Sequence, residues 1–222
     1  MARCPVQDRQ ARGAPHNGHF FNGWPMVERL RQLSYEELDP SVRPLADDIL
    51  KVSSAALGGP YNALLRSPDM ARRCFELLDY LRFKTSVNKR LNELAILIQA
   101  RLSNAQYEWW AHEPIARRAG LSDAVMADLR ACRRPAQMQD DERLVFDFCL
   151  QLSLNHRVPD ALWQEVVDRM GEQAAVDLTV LSGTYVMVSM LLNATQVGIP
   201  NGGPEPLQEL EDRKSTRLNS SH

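Results

Sequence analysis

Glu93-Leu-Ala-Ile-Leu-Ile-Gln-Ala-Arg-Leu-Ser-Asn-Ala-Gln-Tyr-Glu108-Trp-Trp-Ala-His112 decides how this chain reads. Leu91, Leu94, Ala95, Ile98 and Leu102 recur at helical spacing and form one apolar stripe. Ile96, Leu97 and Ala100 make the opposite side apolar as well, and a helix apolar on two sides is buried on two sides. Glu93 lies on that second side. A carboxylate there has to be paired, protonated or functional, because burying a bare charge is very costly. Ser103-Asn104 breaks the pattern and offers the start of a second helix. On that helix Glu108 and His112 stand at i and i+4 and share a face, within reach of Glu93 on the preceding helix. A plainer arrangement fits the same residues: Glu108 and His112 as a surface pair, Glu93 as a structural carboxylate.

Outward from this stretch the chain reads as helices. Val27 to Leu38 is an amphipathic lead-in, and Asp39-Pro40 starts a helix that runs to about Leu57 and stops at Gly58-Gly59-Pro60. Tyr61 to Arg66 is a turn of helix, and Pro68 to Ser86 an amphipathic helix with Met70, Cys74, Leu77, Leu78 and Leu81 at helical spacing. Past the central stretch, helices are expected from Ser122 to about Cys132, Asp140 to Leu154, Pro159 to Met170, and Glu172 to about Val197. Pro114 falls inside the second central helix and leaves the Trp110 carbonyl without its helical partner. The expected fold is an all-α bundle of six to eight helices.

The 222 residues and 44% hydrophobic content fit one domain with tails. Residues 1–25 read as a disordered tail, 26–211 as the helical domain, and 212–222 as an unstructured end resembling an in-frame sequencing adapter. His16, Asn17 and His19 in the first tail lack further ligands at defined spacing, so no metal site is expected. A net charge of −2 gives no case for a nucleic-acid partner. Cys4, Cys74, Cys132 and Cys149 are far apart and fit reduced thiols in a cytoplasmic protein. Leu178 to Gln196 carries no charge and approaches membrane-span length, yet Ser182, Gly183, Thr184, Ser189 and Asn193 interrupt it. With no basic flank or aromatic belt, a helix buried between subunits is expected, and no membrane partner.

Glu93, Tyr107-Glu108-Trp109 and His112, followed by Pro114-Ile115-Ala116, resemble the signature of the carboxymuconolactone decarboxylase family, in the alkylhydroperoxidase AhpD-like superfamily. The segment from Gly59 to Pro68 is similar to the stretch ahead of that family's core helices, and Leu191 to Pro200 to its C-terminal helix and exit. The resemblance spans about residues 35 to 208. It implies an AhpD-like helical bundle and a homo-oligomer, trimer or hexamer, with sites near subunit contacts. The peroxidase branch carries Cys-x-x-Cys, its second cysteine four residues before the histidine. Here those positions are Ala105 and Glu108. Thiol–disulfide chemistry needs a thiolate, so the chain resembles the decarboxylase-like branch.

That branch implies a cofactor-independent decarboxylase, or a related lyase or isomerase, acting on a small carboxylated lactone or cyclic carboxylic acid. His112 is the candidate for proton transfer, its ordinary pKa being nearest neutrality. Glu108 would orient His112 or share its proton. Glu93, if desolvated, would be protonated and act as acid or donor. Tyr107 and Trp109 are candidates for the pocket wall. His156, at an expected helix start, is a further candidate for which a structural role fits better. No basic clamp is assignable: Arg101, Arg117 and Arg118 all read as surface residues. Hydroperoxide reduction and a non-catalytic binding role on the same fold are the alternative functions.

Overall fold

Helix α4, Lys89–Leu102, is the axis of the molecule in the computed structural model, which describes residues 20–21, 24–25, 28–53 and 57–208. Asn88 starts it by accepting the Leu91 N–H on its side chain at 3.1 Å. From Leu91 to Arg101 every residue is buried, so the two apolar sides become one continuous burial. Each fully buried Leu or Ile contributes roughly 1.5–3 kcal/mol relative to exposure. Two buried amides on this helix are each bound at one end: the Asn92 amide donates to the Leu81 carbonyl at 2.8 Å, and Gln99 accepts from Ser153 Oγ at 2.8 Å.

Four helices pack around α4: α5 (Gln106–Arg118), α6 (Asp123–Arg130), α7 (Asp140–Asn155) and α9 (Glu172–Thr195). Helix α8, Asp160–Met170, packs on α7 and α9. Three N-terminal helices complete the bundle, α1 (Arg43–Val52), α2 (Pro60–Leu64) and α3 (Pro68–Phe83). The described residues therefore hold nine α-helices, of which α2 is a single five-residue turn. Phe20–Phe21 and Trp24–Pro25 form a two-residue antiparallel pairing inside the stretch expected as a tail. The rest of residues 1–25, with His16, Asn17 and His19, lies outside the described residues, as does 212–222.

The lead-in and first helix differ from expectation. Residues 28–33 are not helical and are held by Arg29 N–H on the Thr195 carbonyl (3.0 Å) and Leu33 N–H on Asn62 Oδ1 (3.0 Å). Asp39 accepts both the backbone N–H and the hydroxyl of Ser41, at 2.9 and 2.6 Å, which closes a local turn in competition with helix. The helix therefore starts at Arg43, with Pro44 in its first turn, and ends at Val52.

Two joints place the site. Asn104, in left-handed geometry at φ 49°, ends α4 and reverses the chain into α5. Asn193 of α9 clamps this joint by donating to the Ser103 carbonyl at 2.9 Å. Gly59 precedes α2 at φ 62°, and a Cβ there would lie 2.6 Å from the Tyr107 ring. Only glycine satisfies both the backbone and the contact.

Candidate active site

Glu93, Glu108 and His112 converge. The α4–α5 reversal brings Glu93 Oε2 to 2.7 Å from His112 Nδ1, while Glu108, one turn earlier on α5, places Oε1 3.0 Å from His112 Nε2. Both ring nitrogens thus face a carboxylate. Glu93 is fully buried, and Glu108 and His112 are nearly so. Lys89, one turn before Glu93, brings Nζ to 2.6 Å from Oε1, an ion pair without hydrogen-bond alignment at that oxygen. Tyr185 of α9 stands edge-to-face on the imidazole, centroids 5.3 Å apart and planes at 89°.

Burial works against charge on both partners, and pairing outweighs it. Burial would raise the Glu93 carboxyl, but His112 and Lys89 hold it down at about 2. Burial would lower His112, but Glu93 and Glu108 raise it to about 9. The expectation of a protonated Glu93 is therefore corrected: desolvation acts as anticipated, and the two cations beside the carboxylate override it. At neutral pH His112 is an imidazolium.

A cleft of about 530 Å³, its open mouth included, reaches this group. Glu108 and His112 are part of its wall; Glu93 is not, and stands behind them. Tyr61, Tyr107 and Tyr185 supply phenols, and Leu78, Ile115 and Val188 apolar surface. Burial and the neighbouring Glu108 and Tyr61 push Tyr107 up to about 12. Arg82, on α3, is the wall's arginine and escaped sequence reasoning. Burial opposes its charge, but Tyr185, Tyr61, Glu93 and Glu108 hold it above the ordinary arginine range. The signal was weak: Arg82 follows the buried Leu78 by one turn, and both face the cleft.

The other candidates fall elsewhere. Trp109 is fully buried but turns away from the cleft: its indole N–H donates to Glu113 Oε2 at 2.7 Å, and Arg130 lies over its ring at 5.7 Å. It anchors α5 against α6. A helical wheel separates it, since Tyr107, Glu108, Ala111, His112 and Ile115 share one arc at about 100° per residue and Trp109 and Glu113 lie outside it. His156 is exposed and closes α7 in left-handed geometry at φ 58°, outside the cleft wall. It ends a helix where a helix start was expected. Arg101 is buried, donating to Asn104 Oδ1 and the Gln208 carbonyl at 2.8 and 3.1 Å. Arg117 pairs on the surface with Glu113 and Asp123.

None of the described residues lining the cleft is a cysteine. Cys149 is fully buried in the core, accepts from Ser182, and its thiol is pushed up to about 12 by burial. Cys74 and Cys132 are partly buried and also outside the wall.

No family model matches the chain, and no curated protein sequence matches it. Solved structures do. One is an alkylhydroperoxidase AhpD core, an uncharacterized peroxidase-related protein from Ralstonia eutropha JMP134: TM-score 0.67 at 17% identity, over 78% of this chain and 92% of that one. Another is an uncharacterized peroxidase-related protein from Silicibacter sp. TM1040: TM-score 0.60 at 15% identity, over 74% and 86%. The fold is that of the AhpD core, with the all-helical architecture expected from the sequence.

Proposed function

We propose that the cleft is the active site of a cofactor-independent decarboxylase, or a related lyase or isomerase, that acts on a small carboxylated lactone or cyclic acid. The observation that carries this is an imidazole held on both nitrogens by carboxylates, at 2.7 and 3.0 Å, in the wall of an open cleft. Such a group is a proton donor ready at neutral pH. In decarboxylation the bond to the carboxylate carbon breaks and carbon dioxide leaves. The electron pair moves into the conjugated lactone carbonyl as an enolate. His112 then delivers a proton to carbon, directly or with Glu108 sharing it, and the neutral imidazole regains a proton from water. Glu93 keeps the ring charged and oriented from behind, and Lys89 holds Glu93.

The word peroxidase in the neighbours' names points to hydroperoxide reduction by thiols. The described residues of the cleft wall offer no sulfur for that, and Cys149 is buried elsewhere as a neutral thiol. Oligomerisation belongs to the same proposal. Val176, Val180 and Met190 leave an apolar strip of α9 exposed, Met190 at 64%, and a second copy of the chain would cover it in a trimer or hexamer.

The test is carbon dioxide release from a panel of small carboxylated lactones and cyclic acids, with native protein and His112→Asn. Turnover lost in the variant supports the reading. Equal release by both would show that His112 is not the donor, and consumption of hydroperoxide with a thiol reductant would replace the reading altogether.

A further inference from the structure

Tyr185 is only 2% exposed, and that small surface belongs to the cleft wall. No hydrogen bond among the described residues engages its hydroxyl. A buried phenol ordinarily finds a partner, because an unmet hydroxyl in an apolar setting is costly. The other two phenols of the wall are placed differently. Tyr61 neighbours Arg82 and tilts against Phe75, centroids 6.4 Å apart. Tyr107 packs on Trp110 at 5.5 Å and on the backbone of Gly59. Tyr185 is the phenol whose ring meets His112, edge-to-face at 5.3 Å. The Arg82 charge acts on it, and Arg82 Nε is itself buried without a hydrogen-bond partner. Burial holds the phenol well above its ordinary range, so at neutral pH it is an O–H donor. The wall thus sets an unengaged donor, with a guanidinium close by, beside the group that delivers the proton.

We propose that Tyr185 is a catalytic residue of this cleft: its hydroxyl donates to the substrate oxygen on which the enolate charge develops, beside the carbon that His112 protonates. The inference rests on the decarboxylase reading and supplies the hydrogen-bond donor which that reaction requires. When carbon dioxide leaves, the electron pair of the broken bond moves into the conjugated carbonyl, and its oxygen takes the charge. Tyr185 keeps its proton and donates a hydrogen bond that strengthens as the charge grows. A contact made more strongly in the transition state than in the ground state lowers the barrier. When His112 delivers its proton to carbon, the oxygen becomes a carbonyl again and Tyr185 is unchanged. Carbon and oxygen of an enolate are two bonds apart, so the two donors have to stand side by side, as the ring contact of Tyr185 with His112 places them. Glu93, held ionised, has no proton to donate to that oxygen, so the role falls to a phenol.

4-Nitrophenol tests the assignment without needing turnover, because its ionised oxygen resembles the enolate and its colour reports the ionisation. Bound to the full chain, it should ionise about one pH unit lower than in water, a preference of about tenfold for the oxyanion. Tyr185→Phe keeps the ring against His112 and removes only the hydroxyl. It should abolish most of that shift, weaken the phenolate about tenfold and leave the affinity for neutral 4-nitroanisole unchanged. On any lactone that the native protein turns over, the same variant should lower kcat and leave KM in place. 3-Fluorotyrosine at position 185 gives a second measurement should that variant not fold. Its fluorine resonance should move further with 4-nitrophenolate than with 4-nitroanisole. Failure of 4-nitrophenol to bind, or an ionisation unshifted by binding, would overturn the proposal. So would a folded Tyr185→Phe that keeps the shift or the native kcat, or equal displacement of the fluorine resonance by both ligands. Failure of every lactone to release carbon dioxide would sink the proposed reaction instead and leave the nitrophenol result as it stands.

Discussion

His112 gains its proton affinity from folding, so its contribution to stability depends on pH in a definite direction. The folded value, about 9, is above the ordinary 6.5. Its stabilisation is complete below about 6.5 and is lost as pH rises through about 9. Glu93 runs the other way: its value of about 2 is below the ordinary 4.5, so its stabilisation is present above 4.5 and is lost as pH falls through about 2. The melting temperature should therefore fall as pH is raised from about 6.5 through 9, and His112→Asn should flatten that slope; an unchanged slope would show that the ring does not titrate as described. The rate should fall over the same alkaline range, because the donor is the imidazolium. Glu93→Gln removes the anion between two cations. It should cost about 3–5 kcal/mol in chemical denaturation, as for removal of one partner of a buried pair, and should return the His112 titration, followed by NMR, toward its ordinary value. The pairing of Glu108 with His112 was legible from their spacing. The charge state of Glu93 was not, because Lys89 at i−4 and the distance to His112 together reverse what burial alone would do.

Helix α5 presents its chemistry through one arc, and the elements around it hold that arc in place. Trp109, a candidate for the pocket wall, adjoins Glu108 in sequence, and adjacency in a helix means a turn of about 100°, which sends it to α6. Tyr107, on the arc, packs directly against the backbone of Gly59 ahead of α2. Gly59→Ala should strain the left-handed backbone and push the phenol out of position, costing about 1–3 kcal/mol by denaturant titration. The effect should reach the cleft, weakening whatever ligand it binds; a variant with native stability would mean that Tyr107 swings aside freely. Asp177 secures another joint. It accepts from Thr85 Oγ1 at 2.7 Å and from Ser86 N–H and Oγ at 2.9 Å, tying the α3–α4 turn to α9. This charge is just upstream of the uncharged run from Leu178, and its role in ordering the turn above Arg82 and Lys89 was not readable from that run.

Among the described residues, α9 is the one helix long and apolar enough to cross a membrane by length and composition. It runs instead through the bundle against α4, α7 and α8, with Leu178, Leu181, Tyr185, Val188 and Leu192 in the core. Much of the burial expected between subunits is thus supplied inside a single chain. The exposed strip at Val176, Val180 and Met190 is what is left for a partner copy. Light scattering at micromolar concentration should report an oligomer, and Val180→Asp with Met190→Lys should lower its mass without changing the helical circular dichroism. A native protein that stays monomeric there would remove the assembly from the proposal.

Spacing determined by itself which residues are helical and which share a face, because side chains on a helix repeat every 3.6 residues whatever surrounds them. It was enough for the all-α bundle, for the two-sided burial of α4 and for the pairing of Glu108 with His112. Only the tertiary structure decided what depends on distances between elements. That includes the approach of Glu93 to the second ring nitrogen, the ionisation this enforces, and the arrival of Arg82 from α3 at a wall to which α5 contributes most. Coulomb coupling and hydrogen bonding act over a few ångströms through space, and sequence separation carries no information about that distance until the helices are packed.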